Sequence, residues 1–208
     1  MTAPASAFYF DLASPLAYLA AERVLHVLPA PAEWQPVLAR DLPAGERFDG
    51  FRCEQESEIF RADTERRAGE LELQPLRWPD PFPFDSSFAM RVATYAKSIG
   101  RAVPFAQAAF RQAFAGGHSL ADPDFVLIAA AACEMHPAAV LRGAELRSVA
   151  EQLSSATAQA ANLGVSDVPA VLAHPGEPGG RGRVFVGERE LEHAAEHMRS
   201  GAGTGGRA

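Results

Sequence analysis

The sequence contains little cysteine: Cys53 and Cys133 are the two cysteines of a 208-residue chain, and they lie far apart with no CxxC pair. A disulfide framework needs several paired cysteines, and disulfide exchange needs an attacking thiolate. The sequence therefore excludes a disulfide-stapled scaffold, and we interpret both residues as ordinary thiols.

Long apolar runs are also missing. No stretch reaches the roughly eighteen apolar residues of a membrane span, and the first twenty residues lack the basic-then-apolar order of a signal peptide. The formal net charge of −7 argues against nucleic acid as a partner. We expect a soluble, cytoplasmic protein that contacts neither membrane nor nucleic acid and acts on a small molecule.

Lysine is almost absent. Lys97 is the single lysine among many arginines. Because lysine codons are AT-rich, this usage hints at a GC-rich genome.

The stretch 7–20 predicts a short strand, a sharp turn and the start of a helix. Phe8 to Phe10 are strong strand formers, whereas Ser14 and Pro15 are typical of a helix start. Apolar residues then recur at helical spacing as far as Pro29. The Ser14 hydroxyl is thereby placed at a helix N-terminus, where free N–H groups and the helix dipole favour a thiolate, carboxylate or phosphate. By itself, the pattern is more typical of a plain helix cap.

A second unusual segment comes late in the chain. Val168 and Pro169 lie at the start of an apolar strand, where proline has no N–H to donate to the hydrogen bonds of the sheet. We interpret this step as a specialised turn in which a cis peptide bond is possible.

The order of elements predicts an α/β fold interrupted by helices. Strands are expected at 8–10, 33–38, 170–173 and 183–186, with 33–38 near a sheet edge because of Pro36. Helices are expected at 54–69, from 85–87 to Gly100, from Pro104, from Asp122, and at 146–163 and 188–199. The segment 174–182 is either a mobile surface loop or a lid, and we favour the loop.

The residues from Phe8 to Leu19 fit the pattern Phe-Tyr-Phe-Asp-x-x-Ser-Pro-x-x-Tyr-Leu. This pattern resembles the 2-hydroxychromene-2-carboxylate isomerases and kappa-class glutathione transferases of the DsbA-like thioredoxin superfamily. The resemblance continues through 59–66, 83–93, 105–122 and 164–191. It implies a thioredoxin-like domain (1–50 and 164–200), an inserted helical domain (51–163) and a possible homodimer. The Gly-rich tail (201–208) is expected to be disordered.

The resemblance also implies a thiol cofactor, glutathione or another low-molecular-weight thiol, whose thiolate Ser14 would stabilise as the catalytic residue. Val168 would offer its backbone N–H and C=O to the peptide part of the cofactor, and Ser86 would lie near the thiol, although residues 85–87 can equally be helix caps. The residues implied to surround the cofactor are Pro15, Ser86, Val168, Pro169, Glu188 and Arg189.

One departure from the family concerns the closing motif. The family pattern resembles Gly-Ser/Gln-Asp-Arg, in which the acid helps hold the amino end of glutathione, whereas this chain has Arg189 at that position. A guanidinium cannot bind an ammonium group. Glu188 or Glu190 can compensate for the missing acid. Otherwise the thiol is not glutathione, which fits a GC-rich genome because some GC-rich bacteria use other small thiols.

The predicted function is accordingly a glutathione-type thiol-dependent isomerase resembling 2-hydroxychromene-2-carboxylate isomerase, acting on an aromatic-derived unsaturated keto acid. The alternatives are a kappa-type glutathione transferase and a non-catalytic, DsbA-like binding protein without CxxC. A conventional disulfide oxidoreductase is excluded at this site, because residues 14–17 contain no sulfur.

Three further sets of polar residues are candidates for a site. Asp11 is either a catalytic carboxylate or a satisfied strand-end side chain, and we favour the second. Asp63 and Arg66 match an Asp-x-x-Arg pattern of the family. His193 and His197 fit an H-x-x-E-H zinc pattern, but too few residues follow to supply the remaining ligand, so no metal is expected.

Overall fold

The computed structural model describes residues 5–45, 50–175 and 181–200. The elements in chain order are β1 (Ala7–Phe10), α1 (Pro15–Ala21), α2 (Val24–Val27), β2 (Glu33–Pro36), α3 (Glu54–Glu70), α4 (Ser87–Ser98), α5 (Ala102–Phe114), α6 (Pro123–Ala131), α7 (Pro137–Glu145), α8 (Arg147–Asn162), β3 (Ala170–Ala173), β4 (Arg183–Val186) and α9 (Leu191–Ser200). Single 3₁₀ turns cover Ala39–Asp41 and Glu188–Glu190.

In the described part of the chain, four strands form one sheet in the order β2-β1-β3-β4. β1 pairs in parallel with β2 and antiparallel with β3, which pairs antiparallel with β4. The mixed sheet with its long helical insertion between β2 and β3 is the predicted fold class. The prediction that Pro36 marks an edge strand is confirmed, because β2 lies at the edge.

The two faces of β1 bury different residues, as alternation along a strand requires. Phe8 and Phe10 belong to the main core with the inserted helices, where the Phe10 ring lies 5.9 Å from that of Phe110. Ala7 and Tyr9 belong to a smaller cluster with Val168 on the other face. The central strand is thus covered on both sides, and its C-terminal end carries the turn that leads to Ser14.

The structure differs from the sequence-based expectations at several boundaries. The helix expected to run to Pro29 is interrupted, since α1 ends at Ala21 and the short α2 follows. Helix α7 was not predicted, although Pro137 at its start, capped by His136, is a recognisable signal. The last helix begins at Leu191, after a 3₁₀ turn, and α5 begins at Ala102, before Pro104.

Two expectations fall partly or wholly outside the described residues. The predicted tail at 201–208 is one, and most of the 174–182 loop is the other. No helix within the described ranges is both long and apolar enough to cross a membrane.

Helices α4 and α7 pack closely at a glycine. A methyl group on Gly143 would lie 2.5 Å from Cδ2 of the Tyr95 ring. We therefore expect Gly143→Ala to lower the free energy of unfolding by about 1–3 kcal/mol, as overpacking does. Gly69→Ala in α3 is the matched control, because nothing lies within 4 Å of its added methyl group. It should be neutral or slightly stabilising in the same denaturant titration; equal destabilisation by both changes would contradict the packing argument.

Candidate active site

Ser14 caps helix α1 from an extended backbone conformation. Its Oγ accepts a hydrogen bond from the N–H of Ala17 at 3.1 Å, and Pro15 begins the helix. Ser14 is only 2% exposed, yet it lines a cleft. Because a hydroxyl carries one proton as well as acceptor lone pairs, accepting from Ala17 leaves that proton available to donate to a ligand.

Asp11 holds the turn that carries Ser14. Its carbonyl accepts from the Ser14 N–H at 3.0 Å, and its Oδ1 accepts from the Ala13 N–H at 2.9 Å. Its Oδ2 accepts from the N–H of Ala39 at 2.9 Å, and the Ser86 side chain also hydrogen-bonds this carboxyl group. Burial raises the pKa of Asp11, while these hydrogen bonds act in the opposite direction. The structure thus supports the interpretation of Asp11 as a satisfied strand-end side chain.

The cleft beside Ser14, here called the main compartment, has a volume of about 740 Å³, within the usual range of small-molecule sites. One side is aromatic: Phe60 and Phe82 stack with their ring centroids 6.4 Å apart, and Phe51 lies 5.5 Å from Phe60. The residues that line the main compartment are Ala13, Ser14, Pro15, Leu16, Pro43, Ala44, Gly50, Phe51, Arg52, Glu56, Phe60, Phe82 and Pro83. It can receive a flat apolar group next to a hydrogen-bond donor.

A second compartment of about 450 Å³ adjoins the first, sharing Leu16 and Phe60. It is richer in charge. Its residues are Leu16, Phe60, Asp63, Thr64, Arg67, Val186, Gly187, Glu188, Arg189 and Glu190. Of the predicted site residues, Ser14 and Pro15 therefore line the main compartment, and Glu188 and Arg189 line the second.

Glu188 is buried and fully engaged by guanidinium groups. Its carboxylate accepts from Nε and Nη2 of Arg67, both at 2.9 Å, and from Nη1 of Arg23 at 3.0 Å. This ion-pair group joins α3 of the insertion to the segment before α9. It leaves Glu188 little capacity to hold a ligand ammonium group.

Arg67 was missed in the sequence, where the family pattern pointed to Arg66. Arg66 pairs with Asp63 at 3.4 Å and with Glu70, all on an exposed face of α3. The buried residues of α3 are Thr64 and Ala68. Arg67 follows Thr64 by three positions and so shares the inward face, which is the signal that could have identified it.

The remaining predicted residues lie outside both compartments. The Val168–Pro169 peptide bond is cis, and the Pro169 carbonyl accepts from the N–H of Gly187 at 2.8 Å, which places it beside the second compartment. The Val168 N–H donates to Oδ1 of Asp167 at 2.7 Å, so a ligand could use this N–H only by displacing that carboxylate. Ser86 is buried against Asp11.

Neither cysteine lines either compartment, and burial raises the pKa of Cys133. His193 pairs with Glu190 at 3.2 Å, whereas His197 packs against Phe185. No cluster of three metal-ligating side chains occurs in the ranges that the structure describes.

Comparison with known proteins places this geometry in a family. A family model described as a DSBA-like thioredoxin domain matches residues 7–199. The chain belongs to the DsbA-like thioredoxin family. The sequence matches no curated protein closely enough to be counted as a relative.

Solved structures of several other proteins share this fold. A 2-hydroxychromene-2-carboxylate isomerase aligns with a TM-score of 0.76 at 17% identity over 94% of each chain. A probable DsbA oxidoreductase from Streptomyces coelicolor aligns with a TM-score of 0.73 at 18% identity, over 98% of this chain and 92% of that one. The cytosolic disulfide reductase DsbM from Pseudomonas aeruginosa, solved with GSH, aligns with a TM-score of 0.62 at 12% identity, over 94% and 96%.

The raised pKa of Asp11 predicts the sign of a pH effect. The folded protein binds this proton more tightly than the unfolded chain, so the proton stabilises the fold as pH falls toward the ordinary value of 3.8. We expect Asp11→Asn to be less stable than wild type at neutral pH, because its amide NH₂ meets backbone donors. In urea titrations, the difference in the free energy of unfolding between wild type and Asp11→Asn should grow as the pH falls from 8 to 4.5. A deficit that narrows toward acid would contradict the raised pKa.

The ion-pair group around Glu188 predicts a large effect on stability. Glu188→Gln removes the buried anion from between two mostly buried guanidiniums, which then keep only the more exposed Glu192 and Glu70, and we expect a loss of about 2–4 kcal/mol in the free energy of unfolding. Glu192→Gln is the matched control, since Glu192 also pairs with Arg23 but its side chain is 48% exposed. Its loss should stay below about 1 kcal/mol in the same thermal or denaturant unfolding series. Equal losses would show that burial does not set the strength of this group.

Proposed function

We propose that the chain is a thiol-dependent isomerase that acts on a flat, aromatic-derived unsaturated keto acid. The observation that carries the proposal is the Ser14 hydroxyl in the wall of an aromatic-sided cleft, with its oxygen bound to the Ala17 N–H and its proton available. The fold shared with a 2-hydroxychromene-2-carboxylate isomerase and with a GSH-bound reductase supports it.

The residues of the main compartment fit a thiol ligand. A thiolate beside Ser14 would accept the hydroxyl proton in a hydrogen bond and would face the N-terminus of α1, whose dipole favours negative charge. The cleft is large enough for a small peptide thiol and part of a substrate together. When bound, the thiolate supplies a nucleophile that adds reversibly to an unsaturated carbon and leaves once the substrate has rearranged.

The chain's own residues then have separate tasks. Ser14 holds the thiolate in its charged form and at a fixed place. Phe51, Phe60 and Phe82 pack against the planar substrate and exclude water, which strengthens the electrostatic interactions inside the cleft. Arg52, paired with Glu56 at 3.0 Å, stands at the exposed edge of the compartment, where a substrate carboxylate would pass.

We expect Ser14→Ala to reduce thiol-dependent turnover at least about tenfold, because one charge-assisted hydrogen bond to the thiolate is lost. The change also removes a helix cap, which costs about 1 kcal/mol of stability. Asp122→Ala is the matched control, because Asp122 caps α6 by accepting from the Asp124 N–H at 2.9 Å, outside both compartments. It should lose similar stability while its turnover stays unchanged.

The assay follows the isomerisation of an aromatic-derived unsaturated keto acid by absorbance, with and without added reduced glutathione. Full activity in Ser14→Ala would eliminate the proposed role of the hydroxyl. A stable conjugate between thiol and substrate, in place of an isomer, would identify a transferase instead. Absence of thiol binding by calorimetry would favour a non-catalytic binding protein.

A further inference from the structure

The charged groups of the second compartment differ in whether they already have partners. Its carboxylates are engaged: Glu188 by Arg67 and Arg23, Glu190 by His193 at 3.2 Å, and Asp63 by Arg66 at 3.4 Å. Judged by residue type alone, the second compartment would be acidic, because three of its lining residues are carboxylates and two are arginines. The arginine pairs offset the charges of Glu188 and Asp63, and the His193 ring contacts one carboxylate oxygen of Glu190.

The two guanidiniums of the compartment differ in the same respect. Arg67 forms ion pairs with Glu188 and with Glu70. Arg189 is exposed and has no carboxylate partner in residues 5–45, 50–175 and 181–200. Of the two lining guanidiniums, Arg189 therefore has the more unused pairing capacity, and a guanidinium pairs with carboxylate or phosphate and not with ammonium.

We propose that the second compartment binds a carboxylate at the far end of the thiol ligand through Arg189, and that it disfavours a free amine there. The inference rests on the proposed function, because the ligand extends from the thiolate position beside Ser14 past the shared residues Leu16 and Phe60. The ligand class is an anionic thiol whose tail carries a carboxylate without a neighbouring ammonium group.

Two matched thiols test the proposal by calorimetric titration of the whole protein. Glutaryl-cysteinylglycine carries only a carboxylate on its tail, and 4-aminobutanoyl-cysteinylglycine carries only an ammonium group. We expect the wild type to bind the first roughly twofold to fivefold more tightly, as one exposed ion pair permits. Arg189→Gln should abolish this preference. Arg142→Gln, on the surface of α7 and outside the compartment, should leave it intact.

Three results would overturn the proposal: equal or reversed affinity for the two thiols, a preference that survives Arg189→Gln, or no binding of either thiol at millimolar concentration. The serine analogues of both peptides separate this inference from the function proposed for Ser14. If the carboxylate preference persists but replacing sulfur with oxygen changes no affinity, the anion site stands and the thiol-dependent mechanism fails. If sulfur matters and the tail does not, the mechanism stands and the anion site fails.

Discussion

The buried Asp11 carboxyl group is the constraint on which the site depends. It binds the N–H of Ala13 at the Ser14 turn, the N–H of Ala39 in the 3₁₀ turn and the side chain of Ser86 before α4. The segments that follow or precede these points, 13–16, 43–44 and 82–83, line the main compartment. A buried acid is costly unless it is well hydrogen-bonded, so its partners are held together by the need to satisfy it.

Glu188 has a comparable role for the second compartment. Its contacts with Arg67 and Arg23 connect the helical insertion to the α/β part of the chain. Removing the buried carboxylate would leave its guanidiniums only the more exposed Glu70 and Glu192, so the three buried side chains depend on one another for their stability. The same pairing lowers the affinity of the second compartment for a ligand cation, because the Glu188 carboxylate is already paired with two guanidiniums. Among the residues that the structure describes, no carboxylate pairs with Arg189, and the proposed anion site rests on that guanidinium.

Local signals in the sequence were sufficient for the fold and for one side of the site. Ser14–Pro15, the aromatic strand before them and the Val168–Pro169 step each report on their own backbone, and all three were predicted correctly as local structure. The partners of Asp11, Glu188 and Val168 could not be predicted in this way, because they come from distant segments. Arg67 lies 121 positions from Glu188, and only packing brings the two together.

The surroundings of Ser14 limit what its hydroxyl can do. A serine acts as a nucleophile only when an adjacent base takes its proton, most often a histidine. The described residues that line the main compartment include no histidine, and their one carboxylate, Glu56, is already paired with Arg52. In the proposed mechanism we therefore assign Ser14 the role of a hydrogen-bond donor and not of an attacking group. Under the proposed mechanism the nucleophile therefore comes from a thiol ligand, for which the cleft beside the N-terminus of α1 offers a place.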